Sequence, residues 1–254
     1  MNPHFNKESH EIFVILYTIM DRPKRIEKCP IVDAVVEIRF ESSINPNAIF
    51  GIVFNEFKNH YPNVEALPIL QLPEPLRTKD PGLQFKAHYK ISGDDNSIQI
   101  GPNTLVIGAK MPYQGWETFS KEIFDILHRT FNLNIIKLVT RLGIRYINFF
   151  ELDIFKYINL DLRINDRKID LTNTLVRTEI ENAGFKSILQ IANNAKMTDK
   201  SGSLIDVDTF KTYEPAHKFN SNYVDEINQG HLEEKESFFS LLNPEFLNTL
   251  NPIY

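Results

Sequence analysis

Two arginines near the middle of the chain are the residues whose type and spacing most suggest chemistry. Arg141 and Arg145 lie four residues apart in a segment rich in Val, Ile, Tyr and Phe, which predicts a β-strand that points both side chains to one face. A guanidinium group is seldom buried without a carboxylate or an anionic ligand. We therefore expect either ion pairs with acids of neighbouring strands, or a ridge on an open sheet face that binds an anion or a partner.

Further polar and aromatic residues could extend this surface. Lys86, His88 and Lys90 alternate along another predicted strand and form a basic stripe, which is either a solvated strand face or a phosphate contact. Tyr146 or Trp116 could stack on a base, although a Trp at the start of a predicted helix is also typical of a core anchor. The candidate partner- or anion-binding residues are Arg141, Arg145, Tyr146, Asn148, Trp116, Lys86 and Lys90.

Two aspartates suggest a metal site. Asp206 and Asp208 share a strand face, and Glu179 and Glu181 on a neighbouring predicted strand could help them to hold a divalent cation for nuclease chemistry. Acids on strands more often face solvent or pair with arginines, here Arg177 or the two central arginines. Asp206 and Asp208 are therefore weak metal candidates, and we assign no catalytic residue.

Several common active-site and cofactor motifs are missing from the sequence. There is no Walker loop, no glycine-rich dinucleotide fingerprint after a strand and no Gly-x-Ser-x-Gly elbow. The single cysteine, Cys29, excludes an internal disulfide, and no two histidines lie four apart on a predicted helix, so a zinc site has no support. We expect no cofactor.

The composition is that of a folded protein. Of the 254 residues, 42% are hydrophobic and 11% aromatic, which is enough for one large domain or two small fused ones. The formal net charge of -5 argues against non-specific nucleic-acid binding, because such binding needs many contacts from Lys and Arg to phosphate. The acidic excess lies within residues 214–254, so a local basic patch elsewhere is compatible with the total charge.

The N-terminal segment contains an apolar run, Ile12–Met20, that is much shorter than the roughly 20 residues needed to span a bilayer. It lacks the basic leader and the small-residue cleavage site of a signal peptide. We expect residues 1–19 to be a dispensable extension with Met20 as the initiator, and we expect a cytoplasmic protein with no membrane contact.

The elements that would position these residues follow a repeated order, in which each half of the chain runs strand, helix, three or four strands, helix. The predicted elements of the first half are a strand over 32–40, a helix of about 15 residues from Asn45–Pro46, an edge strand within a proline-rich stretch, a hairpin or meander over 85–109, and a helix from Gly115–Trp116. The predicted elements of the second half are the arginine-bearing strand 139–150, a short helix at 153–157, strands at 160–164, 171–181, 187–192 and 203–210, and a long helix over 221–242.

This order predicts an α+β fold with antiparallel sheets and helices on one face, and it suggests a tandem duplication of one β-α-β(3-4)-α unit. The two halves would be residues 20–135 and 136–254, packed as one compact unit. Glu233, Glu234 and Glu236 near the centre of the last helix predict a solvated outer face. Alternatively, this acidic helix docks on a basic partner or masks the central arginines.

Four segments, in a fixed order, resemble a sporadically distributed, uncharacterised family of bacterial proteins of similar length. They are PIVDAVVEIRF at 30–40, IQIGPN at 98–103, YQGWE at 113–117 and RLGIRYIN at 141–148. The resemblance extends from about Asp21 to the C-terminus. It implies a gene that travels with small mobile or defence-type gene sets, but it carries no active-site role.

These observations favour a non-catalytic binding or accessory protein that contacts another protein, encoded nearby, through the sheet face around Arg141 and Arg145. One alternative is a nucleic-acid-binding protein or a metal-dependent nuclease, in which the arginines, Lys86 and Lys90 contact phosphate. Another is a small-ligand sensor or enzyme with a pocket between the two halves. The partner's identity and the oligomeric state cannot be read from the sequence.

Overall fold

The computed structural model describes residues 22–94, 96–168, 173–219 and 222–254. The extension expected at residues 1–19 and the initiator Met20 lie outside the described residues. The described chain divides into two compact units, of which residues 30–243 form the larger. In the smaller unit, strand β1 (Arg25–Ile26) pairs antiparallel with Pro252–Ile253, and a short helix spans Pro244–Thr249.

Nine strands of the larger unit form one antiparallel sheet, and two short strands form a separate ribbon. The sheet strands are β2 (Ile31–Glu41), β3 (Asn63–Ala66), β4 (Tyr89–Ser92), β5 (Ser97–Ile100), β6 (Thr104–Gly108), β7 (Leu138–Phe150), β10 (Leu175–Asn182), β11 (Phe185–Met197) and β12 (Lys200–His217), and the ribbon pairs β8 (Arg163–Ile164) with β9 (Arg167–Lys168). Across the sheet the order is β10-β11-β12-β7-β2-β6-β5-β4-β3.

The strand order repeats outward from the central pair, β2 and β7. Beside β2 lie β6, β5 and β4, which are the last, the next-to-last and the preceding strands of the first half of the chain. Beside β7 lie β12, β11 and β10, which are the last three sheet strands of the second half that belong to the larger unit, again in reverse chain order. The predicted α+β class with an antiparallel sheet is therefore confirmed, and both predicted halves contribute to the larger unit.

The long helices pack on one face of this sheet. Buried residues of the helices share one apolar core with alternate residues of the central strands, such as Val36, Ile38 and Ile144, each 0% exposed. None of the helices in the described ranges is long and apolar enough to cross a membrane. The helices of the larger unit are α1 (Pro46–Phe57), α2 (Glu74–Lys79), α3 (Trp116–Asn132) and α4 (Tyr223–Phe239).

Local sequence signals account for where the helices begin. Asn45 caps α1 by accepting a 3.0 Å hydrogen bond from the backbone N–H of Asn47, and Pro46 occupies the first turn. Helix α3 begins after Gly115, whose φ of 94° lies in the region that favours glycine. Both starts agree with the sequence prediction, but α1 spans 12 residues rather than about 15.

Several predicted strand bounds are wrong, because the true bounds depend on hydrogen bonds and strand register that the alternation of residues does not show. The alternation beginning at Phe85 predicts a strand, but Lys86 N–H donates to the carbonyl of Leu83, so this stretch is a turn and β4 begins only at Tyr89. Strand β12 reaches His217, beyond the expected end at 210. Pro215 is accommodated there because it falls in a register break of the β12–β7 pairing.

The second half also differs from its predicted elements between β7 and β10. The helix predicted at 153–157 is a single 3-10 turn, Ile154–Lys156. The strand predicted at 160–164 is reduced to β8 in the two-stranded ribbon. The second half therefore has no counterpart of α1 among the described residues, although its strand order matches that of the first half.

Gly230 in α4 is a glycine that tertiary packing requires. A Cβ there would lie 2.6 Å from Cδ1 of Ile144 and 3.0 Å from Cε1 of Phe185. We expect Gly230→Ala to destabilise the protein by about 1–2 kcal/mol, because the clash outweighs the gain of about 1 kcal/mol in helix propensity. The measurement is urea unfolding at neutral pH.

Gly51 in α1 provides the matched control. A Cβ at Gly51 would meet no atom within 4 Å, so Gly51→Ala should stabilise the protein by about 0.5–1 kcal/mol through helix propensity alone. Equal effects of the two substitutions would contradict close packing of α4 on the sheet.

Candidate functional site

The sheet face opposite the long helices carries a network of charged side chains on three adjacent strands. The register sets Glu37 of β2 opposite Gly143 of β7, and it sets Asp208 of β12 opposite Arg145. Alternation then places all odd-numbered residues of β7 from Arg141 to Ile147 on this face. We call the set Glu37, Arg39, Arg141, Arg145, Asp206 and Asp208 the arginine–carboxylate network.

Arg141 lies at the centre of this network and joins the three strands. Its Nη1 donates to Oε1 of Glu37 at 2.5 Å, and its Nη2 donates to Oδ1 and Oδ2 of Asp208 at 3.1 and 3.0 Å. Its Cζ lies 4.5 Å from the centre of the Phe210 ring. Because only 11% of the side chain is exposed, the two carboxylates replace most of the hydration that burial removes.

Gly143 is the reason that Arg141 can reach both acids. A Cβ at Gly143 would overlap Nη1 of Arg141 and lie 3.0 Å from its Cζ. The guanidinium group therefore lies over the backbone of Gly143. This explains the glycine between the two arginines of the segment RLGIR, which sequence alone does not explain.

Arg145 makes a separate two-point contact with Asp206. Its Nε and Nη2 donate to Oδ1 and Oδ2 of that carboxylate at 2.8 and 2.6 Å, and Nε2 of Gln190 donates to Oδ2 at 3.1 Å. The hydrogen bonds to Asp206 raise the pKa of Arg145 above its ordinary value. The Arg145 side chain is 42% exposed while that of Asp206 is 11% exposed, so the guanidinium group remains accessible.

Arg39 completes the network on β2. Its Nε donates to Oε1 of Glu37 at 2.7 Å, the same oxygen that accepts from Arg141. Arg39 and Arg141 are Cα partners across the β2–β7 pair, so this carboxylate screens two like charges that face each other. The Cζ of Arg39 also lies 4.8 Å from the centre of the Phe85 ring.

The candidate metal ligands Asp206 and Asp208 belong to this network. Each carboxylate accepts two hydrogen bonds from an arginine, as the ion-pair alternative predicted. In the described ranges, no three His, Cys, Asp or Glu side chains cluster in a way that could hold a metal ion. The arrangement suits the neutralisation of buried charge rather than the binding of a cation.

The candidate lysines do not join the network. Lys90 is on β4, four strands from β7 in the sheet, and Lys86 is exposed in the turn before β4. Lys90 nevertheless shares the network face, since the register runs from Lys90 through Gln99 and Val106 to Glu37. Burial raises the pKa of Asp33, and the charges of Arg145 and Lys90 both oppose that shift, so Lys90 acts on the acid beside Arg145 without pairing with a network residue.

Tyr146, Asn148 and Trp116 lie on the helix-covered side of the sheet. Tyr146 and Asn148 are each 2% exposed, and Trp116 packs against the core. The hypothesis that Tyr146 stacks on a base is therefore wrong for this conformation, because its ring has no accessible face. The core-anchor alternative describes Trp116 correctly.

Trp116 and Tyr146 contact a half-buried histidine that the sequence analysis did not single out as a functional residue. The His231 ring stacks on Trp116 at a centroid distance of 3.9 Å, and its Nδ1 lies 3.5 Å from the Tyr146 hydroxyl. That hydroxyl is 3.0 Å from the hydroxyl of Tyr113. Burial, aided by the charge of Lys235, lowers the pKa of His231 to about 3. His231 is therefore neutral at physiological pH.

Glu234 contradicts the expectation of a fully solvated acidic face on α4. Glu234 is only 5% exposed, and burial raises the pKa of its carboxyl group well above the ordinary value. Glu233 instead holds the end of β10 by accepting a 2.8 Å hydrogen bond from Asn182. Because α4 packs against the core face of the sheet, it does not mask the arginines.

A cavity of about 410 Å³ opens beside the start of α3. Tyr113, Gln114, Thr118 and Glu122 contribute to its lining, together with Asn96 and Lys110. All of these residues belong to the first half of the chain. The cavity is therefore not the pocket between the halves that the small-ligand alternative predicted.

Comparisons with known proteins assign no function to this site. No protein-family model matches the chain, and neither does any curated protein. The resemblance to the bacterial family therefore stays a prediction, and the function must be inferred from the geometry.

The position of Gly143 leads to a test of the network. Gly143→Ala should destabilise the protein by about 2 kcal/mol, because the new methyl group displaces Arg141 from its two carboxylates. In an Arg141→Ala background the same substitution should have almost no effect. Urea unfolding of the two single variants and the double variant measures this coupling, and additive effects would show that Arg141 does not depend on Gly143.

The burial of His231 leads to a prediction about acid stability. Its pKa is about 3 in the folded protein, against an ordinary value of 6.5. The stability due to neutral His231 is therefore complete above pH 6.5 and is lost as the pH falls toward 3, by up to about 1.4 kcal/mol per pH unit. Between pH 6.5 and 4.5, His231→Gln should lose less stability than the wild type.

The titration of Glu234 does not affect this comparison of pH-dependent stability. The raised pKa of its carboxyl group acts with the opposite sign, since that contribution is present below pH 4.5 and is lost as the pH rises. It is present in both proteins and cancels in the difference. Identical pH dependence of the two proteins, measured by urea unfolding, would show that His231 accepts a proton without disturbing the fold.

Proposed function

We propose that the protein is a non-catalytic binding protein, and that it contacts a protein partner through the sheet face that bears the arginine–carboxylate network. The observation that carries this proposal is the exposure of the paired charges. The Arg145 side chain is 42% exposed, that of Arg39 is 31% exposed and that of Asp208 is 28% exposed. Ion pairs made within the sheet thus hold these groups in place for a partner.

The mixture of side chains on this face supports a protein partner. Half-buried Val35, Ile147 and Phe210 alternate with the charged residues. Arginine and aromatic residues are enriched at protein interfaces, where paired charges confer specificity more than affinity. The face therefore offers apolar area and an ordered charge pattern together.

The charge balance of the three central strands argues against a nucleic-acid partner that binds over Arg141 and Arg145. On the central strands, four carboxylates (Asp33, Glu37, Asp206, Asp208) accompany three guanidinium groups (Arg39, Arg141, Arg145). Binding to phosphate requires an excess of positive charge. An arginine here would have to exchange its carboxylate for a phosphate group, and a buried acid would then lose its partner.

The same pairing weakens the nuclease alternative. A catalytic divalent cation needs carboxylate oxygens that are free to coordinate it. Both oxygens of Asp206 and both oxygens of Asp208 accept hydrogen bonds from arginine.

Arg145 is the residue to test, because its guanidinium group is accessible. The tagged chain and its Arg145→Gln variant would be purified from the native host with neighbouring genes intact, at low and at high salt. We expect a stoichiometric protein to co-elute with the wild type at both salt concentrations, and its affinity for the variant to fall at least about tenfold. The glutamine amide can still donate to Asp206, which protects the fold.

Lys121→Gln is the matched control. Lys121 is 74% exposed on α3 and, within the described residues, forms an ion pair with Glu117 alone, so its replacement should leave partner binding unchanged. Nucleic acid that elutes as the salt is raised would replace the proposal with the nucleic-acid alternative. A partner that binds the Arg145 variant normally would locate the interface elsewhere.

A further inference from the structure

Strand β10 forms an edge of the nine-stranded sheet, three strands from Arg141 of the network. Strand β10 pairs with β11 on one side, and no strand of the described residues pairs with its other side. Leu175 and Ile180 on this strand are 65% and 43% exposed. A long, exposed edge strand with apolar side chains is a template for pairing with another chain.

The hairpin turn determines which backbone groups of β10 face outward. Residues 183 and 184 connect β10 to β11, with φ of 48° and 77°, as in a type I′ turn. The pair that flanks such a turn, Asn182 and Phe185, exchanges both backbone hydrogen bonds. Because inward and outward groups alternate, the outward N–H and C=O groups belong to Leu175, Arg177, Glu179 and Glu181.

We propose that β10 pairs antiparallel with β10 of a second copy of this chain, with the two-fold axis at Thr178. Each Arg177 then lies opposite Glu179 of the other copy, and each Val176 lies opposite Ile180. Both ion pairs fall at positions where the two strands exchange backbone hydrogen bonds. The strand is self-complementary in charge, in apolar side chains and in backbone polarity.

The neighbouring registers lack this complementarity. Antiparallel pairing must join outward residues to outward residues, so the register can change only in steps of two. With the axis at residue 177, Arg177 would face itself. With the axis at residue 179, Glu179 would face itself. Like charges directly opposite each other are destabilising, so the register centred on Thr178 is favoured.

The charges around the edge also favour pairing with a second copy. Lys186 of β11 lies 3.1 Å from Oε1 of Glu179 and also interacts with Glu181, so two carboxylates share one cation. Arg177 makes no ion pair within the described part of the chain. In the dimer, Arg177 of the second copy supplies the missing positive charge.

Charge reversal tests both the dimer and its register. Sedimentation velocity over a range of concentrations measures the dimer dissociation constant of the full chain. Arg177→Glu and Glu179→Arg should each weaken the dimer by at least about tenfold, because two ion pairs become two repulsive pairs. An equimolar mixture of the two variants should dimerise again, because every glutamate then faces an arginine.

Glu181→Lys is the control on the same strand. In the proposed register Glu181 faces Leu175, so the variant should dimerise like the wild type. In the register centred on residue 179 it would face Arg177 and the dimer would weaken. Melting temperatures establish that each variant is folded.

Three results would overturn the proposal. The first is a wild-type chain that stays monomeric at all concentrations. The second is a dimer that is indifferent to charge reversal at Arg177 and Glu179 while both variants are folded. The third is failure of the variant mixture to associate.

Discussion

The central sheet depends on the ion pairs of the Arg141 guanidinium group. This group is mostly buried, and its burial is tolerated because β2 supplies Glu37 on one side and β12 supplies Asp208 on the other. Three strands from distant parts of the chain must therefore be in register before the charge is neutralised. Breaking one contact would leave a charge with little water to replace it, which is the costly case for a buried ion pair.

The two faces of β7 have different roles. On one face of β7, alternate residues enter the apolar core under the helices, where Tyr146 meets His231 and Trp116. On the other face, the arginines and carboxylates neutralise each other and leave Arg145 accessible. A single strand thus stabilises the fold with one set of side chains and presents a patterned surface with the other, because a strand side chain can point only to one face.

Sequence patterns predicted local features of this site correctly, but they did not show which residues pair with the arginines. Alternation correctly placed Arg141 and Arg145 together. The candidate surface also included Tyr146 and Asn148, which the structure places on the opposite face, each 2% exposed. The pairing of Arg141 with Glu37, 104 residues away, depends on the β2–β7 register, which no local pattern encodes. The buried state of Glu234 was missed for a similar reason, since an acidic run on a helix is normally solvated.

The sequence by itself determined the α+β class, the central strand, the starts of α1 and α3, and the absence of the common cofactor motifs. These follow from short-range rules of periodicity, capping and turn chemistry. Only the tertiary structure decided that β12 neutralises the arginines, that Glu234 is buried and His231 half-buried, and that β10 is an edge strand among the described residues. Each of these is set by non-local pairing and desolvation, whose energies depend on groups that meet only when the chain is folded.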